Sequence, residues 1–139
     1  MAKLIAGKDN YRIIKDAMDQ VFNVKNIQIM RSNHHIKDNK YACFYHLAQK
    51  GENGGWFPPD DRVWLNIPDC DGKAFTQINL QNEISQDNPL EEGICAVFMY
   101  KKDCYQFFGV FKQSNFERGD RICIFERLSD ELDIDEWKL

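Results

Sequence analysis

The stretch GICAVFMY at residues 93–100, followed by KKDC at 101–104 and YQFFGVFK at 105–112, decides the reading of the fold. Both eight-residue runs are rich in Val, Ile, Phe and Tyr, the composition of β-strands. The short charged insert between them has the length of a hairpin turn. An antiparallel hairpin over 93–112 is therefore expected. RICIFE at 121–126, reached through a polar loop containing Gly119, reads as a third strand.

Working towards the N-terminus, FTQINL at 75–80 is strand-like and VWLNI at 63–67 is a short strand or helical turn. YACFYHLA at 41–48 has the aromatic content of a buried strand, and VKNIQIM at 24–30 alternates apolar with polar residues, a strand period. Residues 9–22 change to a helical period: Tyr11, Ile14, Met18 and Val21 share one face, and Asp9 is the expected N-cap. Residues 31–40, 49–61 and 81–92 read as loops, and 69–73 as a turn. Beyond Leu128, a short helix or turn starts at Ser129, with Leu132 and Trp137 as its anchors. The sum is α+β: an N-terminal helix and a curved, mostly antiparallel sheet or small pseudo-barrel of about six strands, in a single domain over 1–139.

The 139 residues are 43% hydrophobic and 29% charged, which excludes fibrous and disordered classes. No apolar run approaches the ~20 residues of a membrane span, and the apolar stretch near Met1 is too short for a secretory signal. Five cysteines, none two residues from another, fit neither a disulfide framework nor a zinc site. Cys43, Cys95 and Cys123 lie in apolar runs, so buried, reduced thiols and a reducing cytoplasm are expected. Charge is divided unevenly. Residues 1–50 carry nine Lys and Arg against four Asp, a balance of +5, so the remaining residues sum to −9 for a net charge of −4. A local anion-binding face is compatible with that asymmetry. The pI of about 5.3 disfavours strong nonspecific DNA binding.

Several segments invite chemistry. Asp69, Asp71 and Lys73 resemble half of a metal-dependent nuclease site, and the same stretch half-matches a calcium loop whose ends, Ile67 and Ile78, are apolar. An Asp-Gly turn accounts for both. His34, His35 and His46, with Cys43 nearby, suggest a Cys/His site. Adjacent histidines on an extended chain point to opposite sides, however, and cannot easily share one ion. No catalytic residue, metal site or cofactor is called for by any motif. The most unusual segment is GENGGWFPPDDRVW at 51–64. Trp56, Phe57 and Trp64 there are candidates for a stacking platform or cage around a base, or alternatively a lid on the core. By residue type, Asp60 and Asp61 are candidates to accept from a base edge, and Arg31, Lys37, Lys40 and Arg62 are the candidate phosphate ligands.

The sequence from the apolar strand at 93 through Tyr105-Gln106-Phe107-Phe108-Gly109 to Arg121–Leu128 resembles the closing hairpin of PUA-like modules, the superfamily that includes SRA, EVE, YTH and ASCH domains. It is similar to the small modules appended to bacterial restriction nucleases and helicases, in which the strand commonly reads Y-x-F-L-G. The resemblance covers about a quarter of the chain. It implies a pseudo-barrel that reads nucleic acid, often a modified base flipped into an aromatic pocket, in a bacterial or phage, restriction-associated setting. The expected function is thus a non-catalytic nucleic-acid recognition module in the cytoplasm, with no membrane association. The alternative is an acidic protein-interaction or inhibitor module, its tail Asp130–Glu136 mimicking nucleic acid or docking a basic protein partner. A metal-dependent hydrolase is a third reading.

Overall fold

The structure, a computed structural model, describes residues 2–25, 33–50, 56–57, 64–69, 71–79, 93–101, 103–116 and 122–139. Its centre is the hairpin expected from the sequence, β9 (Ile94–Lys101) and β10 (Cys104–Phe116). The turn is tighter than the four residues read from sequence, because Cys104 already pairs with Lys101. β11 (Ile122–Ser129) continues antiparallel on β10, and β8 (Ala74–Asn79) and β7 (Trp64–Pro68) follow on β11. On the other side of β9 lie β4 (Lys40–His46) and then β3 (Asn33–Lys37).

β4 pairs parallel with β9, the one parallel ladder described in this sheet, so it is mixed. Central strands of this kind bury both faces and read as continuous apolar runs. Residues on one face of β4 and β9 (Ala42, Phe44, Ala96, Phe98) join one core cluster, and those on the other (Cys43, Tyr45, Cys95, Val97, Met99) join a second.

The first cluster is covered by helix α1 (Ile14–Phe22) and the chain ends. Ala17, Met18, Val21 and Phe22 of α1 are buried there. Phe22 meets Phe98 and Trp137 edge-on or tilted, and Phe44 stacks on Phe98 at 4.9 Å. Each such fully buried ring contributes about 1.5–3 kcal/mol. α1 begins later than the periodicity predicts. Residues Asn10–Tyr11 form a short strand, β2, on β10, and Ile13 precedes the helix without a side-chain cap. Asp9 is not the N-cap; its carboxylate accepts from the Ile5 amide at 2.7 Å and closes the N-terminal loop. Asn23, at φ 57°, ends the helix in the left-handed conformation. Its side-chain amide donates to the Leu139 carbonyl.

The C-terminal acidic segment is part of this core. β12 (Glu131–Asp133) pairs with β1 (Lys3–Ile5), and α2 (Ile134–Trp137) follows. Leu132 and Trp137, the anchors read from sequence, are 1% and 4% exposed. The acids Asp130, Glu131, Asp135 and Glu136 remain on the surface.

The second cluster lies inside a curl of the sheet. Tyr45 of β4 comes within 6.0 and 6.2 Å, between ring centres, of Phe75 of β8 and Phe125 of β11, strands far from β4 along the sheet. A β-bulge at Phe108-Gly109 turns β10 into that curl. Before it, Tyr105 and Phe107 face the helix-side cluster; beyond it, the odd-numbered Phe111 faces the second cluster and Val110 the first. An extra residue inverts the alternation of a strand, so one bulge serves both cores.

The pseudo-barrel of the sequence reading is corrected to an open, curled sheet. Among the described residues, no ladder joins β4 to β7: Leu47 makes a parallel bridge with Asn66, the Ala48 amide donates to the Asn66 carbonyl at 2.9 Å, and Asn66 Nδ2 donates to the His46 carbonyl. The strand count also exceeds six: eight strands make this sheet, β2 included, and β1–β12 and β5 (Gln49–Lys50) with β6 (Trp56–Phe57) form separate pairs. Asn33–Lys37, expected as loop, is strand β3. The strand expected at 24–30 is not seen at Val24–Lys25; 26–30 lies outside the described residues.

Candidate functional site

The inside of the curl changes character along the strands. Phe75 and Phe125, opposite each other on β8 and β11, stack at 4.6 Å and 5°. Phe111 packs edge-on to Phe75 at 5.1 Å, and Phe108 stacks on Phe111. Two residues further along, about 7 Å, the inward positions become polar. Asn66 is opposite Gln77, and Gln77 opposite Cys123. Gln113, in register with Phe125, reaches diagonally to Cys123. Asn66, Gln77 and Gln113 are the three buried polar residues among those described, 2%, 7% and 9% exposed.

These side chains form one hydrogen-bonded row across β10, β11, β8 and β7. The Gln113 amide donates to Cys123 Sγ (3.6 Å), and the Cys123 thiol donates to Gln77 Oε1 (3.6 Å). Gln77 Nε2 donates to Asn66 Oδ1 (2.8 Å), and Asn66 Nδ2 donates to the His46 carbonyl (3.1 Å). Gln113 Oε1 is buried and has no partner among the described residues, a state that costs about 1–3 kcal/mol when nothing donates to it. Burial pushes the Cys123 thiol up to about 11, against the lowering effect of the Gln113 bond, so it stays protonated and able to donate at neutral pH. Burial likewise raises Cys43 and the hydroxyl of Tyr45 well above their ordinary values. Cys43, Cys95 and Cys123 are free, buried thiols, as expected.

The residues singled out from sequence fall in two places. Trp56 and Phe57 form β6 and pair with Gln49–Lys50 (β5), and Trp64 opens β7, two residues before Asn66. In backbone register Trp64 pairs with Asn79, two positions along from the Asn66–Gln77 pair. Arg31, Asp60 and Arg62 lie outside the described residues. Lys37 and Lys40 are elsewhere. Lys40 opens β4, about 20 Å from His46 along the strand, and Lys37, the last residue of β3, is its register partner. Lys37 donates to the Lys138 carbonyl at 3.0 Å, and the Lys40 ammonium lies 5.9 Å from the Trp137 ring centre. Lys40 and Lys3 border an open pocket of about 530 Å³ that also carries Glu131, Asp133 and Glu136, acids that oppose a phosphate there.

Other sequence candidates resolve into structural roles. Asp69, Asp71 and Lys73 belong to the β7–β8 turn: Asp71 accepts from the Lys73 amide, and the Gly72 amide donates to the Asp69 carbonyl. His34 packs edge-on to Phe44, and His35 against Tyr41, so the two rings diverge. Among the described residues, no three His, Cys, Asp or Glu side chains gather to hold a metal ion, and no helix is long and apolar enough to cross a membrane. The row Asn66, Gln77, Cys123 and Gln113 escaped the sequence reading. Its signal was Asn and Gln standing two residues from apolar positions in strands, where the inward face should be apolar.

No protein-family model matches this sequence, and no curated protein matches it. Among solved structures, the chain is similar to the 5-hydroxymethylcytosine-specific restriction enzyme AbaSI, with a TM-score of 0.62 and 18% identity. The match covers 89% of this chain and 39% of that enzyme, so the chain corresponds to about two-fifths of its length. At that identity the likeness is one of fold: the open, curled sheet described here is shared with part of a restriction enzyme.

Proposed function

We propose that this chain is a PUA-like, non-catalytic module that binds nucleic acid and reads a modified base. The observation that carries the reading is the likeness of fold, over 89% of the chain, to an enzyme specific for 5-hydroxymethylcytosine. The inside of the curl supports it, because base reading needs a few hydrogen-bonding groups on an otherwise apolar wall. Here a row of inward amides adjoins the phenylalanine core, and Trp64 stands two residues from Asn66 on β7.

In this reading Trp56, Phe57 and Trp64 stack on or enclose the base and Asp60 lies at its edge. Arg31 and Arg62 hold the neighbouring phosphates. Lys37 and Lys40, remote from β6 and β7 and engaged with the C-terminal helix, are left out of the phosphate set. With few phosphates neutralised, binding has a shallow salt dependence. Cleavage of nucleic acid is no part of the proposal.

The test is the double variant Trp56→Ala/Trp64→Ala, assayed by fluorescence polarisation against the best-bound modified oligonucleotide. Base–aromatic stacking is worth about 1–3 kcal/mol per ring, so a loss of more than tenfold is expected. Unchanged affinity in a folded double variant would remove the two tryptophans from the site.

A further inference from the structure

The buried amide row has a direction, and one main-chain group fixes it. The His46 carbonyl can only accept, so the end of Asn66 that faces it must be the NH2 group. Asn66 Oδ1 then faces Gln77, which must present its own NH2. That leaves Gln77 Oε1 towards Cys123, and only the thiol hydrogen can satisfy it. With its hydrogen committed, the Cys123 sulfur can only accept, so Gln113 must turn its NH2 towards it. Flipping any one amide sets two acceptors, or two donors, against each other further along the row. The polarity of the row therefore forces Gln113 to present its carbonyl oxygen at the free end, and that oxygen is the atom buried without a partner among the described residues.

Local backbone geometry places it there deliberately. The β10–β11 ladder shifts register between Gln113 and Asn115, a bulge of the sort that re-aims a side chain. Gln113 also stands at the border of the aromatic core, two residues beyond Phe111 on the inward face of β10 and in register with Phe125.

We propose that Gln113 Oε1 accepts a hydrogen bond from the bound base, and that the module consequently selects a pyrimidine bearing an exocyclic amino group over one bearing a keto oxygen at the same position. The inference rests on the base-reading function proposed above and names the chemical feature read. An amino group completes the row with its last donor. A base without a substituent there leaves the carbonyl unsatisfied, and a keto oxygen sets acceptor against acceptor.

Three oligonucleotides that differ only at the target base test this: cytosine in its best-bound form, 2-pyrimidinone, which lacks the amino group, and uracil with the same 5-substituent. Fluorescence polarisation with the intact chain is expected to rank them amino, then unsubstituted, then keto, each step about tenfold in Kd. Gln113→Met, close in size but without the acceptor, is expected to bring amino and unsubstituted bases within about twofold of each other, with its fold checked by thermal melting. If that variant fails to fold, the ligand series on the wild-type chain decides alone. Equal binding of the three bases by the wild type, or unchanged ratios in a folded Gln113→Met, overturns the assignment of Gln113 and leaves base reading standing. Failure to bind any oligonucleotide overturns both.

Discussion

Gly109→Ala probes the bulge that lets β10 serve two cores. Gly109 has φ +136°, a conformation open to glycine and strained for any L-residue. A Cβ added there would come within 2.7 Å of Arg127 Cδ, 3.0 Å of the Ser129 carbonyl oxygen and 3.1 Å of Phe111 Cε1. The Arg127 stem can swing aside. The Ser129 oxygen belongs to the backbone and the Phe111 ring is fully buried, so neither can yield cheaply. Strain of about 1–3 kcal/mol plus partial overlap worth about 1 kcal/mol or more gives a total near 3 kcal/mol. The unfolding entropy of a chain this long is about 0.3 kcal/mol/K, so Tm should fall by about 10 °C. Gly7→Ala is the control. Gly7 also has positive φ, +81°, but nothing lies within 4 Å of an added Cβ. It should lose only about 1–2 kcal/mol, or about 3–7 °C. Thermal melts followed by circular dichroism would compare the two. A Gly109→Ala melt no lower than that of Gly7→Ala would refute the close packing assigned to the bulge.

Three further outcomes follow from the packing. Phe75 is fully buried between Phe125, Phe111, Phe108 and Tyr45, so Phe75→Ala should cost about 3–5 kcal/mol in urea denaturation; a loss below 1 kcal/mol would place that ring outside the core. Cys123 holds its proton to about pH 11 in the folded chain against an ordinary value of 9.0. Its contribution to stability is therefore complete below about pH 9 and lost as pH rises towards 11. The urea midpoint should fall more steeply between pH 9 and 10.5 for wild type than for Cys123→Ser, and parallel slopes would contradict this. Removing residues 129–139 takes away Leu132 and Trp137 and the β12 pairing with β1, so the truncated chain should lose cooperative unfolding; a native-like melt would show that the acidic segment is a dispensable arm.

Much of the architecture was legible because burial writes itself into residue type. GICAVFMY and YACFYHLA are apolar at consecutive positions because β9 and β4 are covered on both faces. Leu132 and Trp137 stood out as apolar residues in an acidic stretch. What could not be read was pairing. The parallel match of β4 with β9 joins segments some fifty residues apart, and nothing local encodes it. Asn-His-His-Ile-Lys at 33–37 looked like loop because β3 is an edge strand with few apolar side chains. Asp9 looked like a cap, but a competing main-chain donor, the Ile5 amide, had first claim on its carboxylate. At the candidate site, the tryptophans drew notice by size and composition. Asn66, Gln77 and Gln113 did not, because an amide in a strand is ordinarily an outward residue and only the curl of the sheet makes these inward.

Base reading itself is tested most directly by titrating the chain with matched DNA and RNA oligonucleotides, each with unmodified cytosine, 5-methylcytosine or 5-hydroxymethylcytosine at one position, at two salt concentrations. The expected result is preference for one modified form by at least tenfold, retained at the higher salt. Equal, steeply salt-dependent binding of all of them, or none at all, would contradict it.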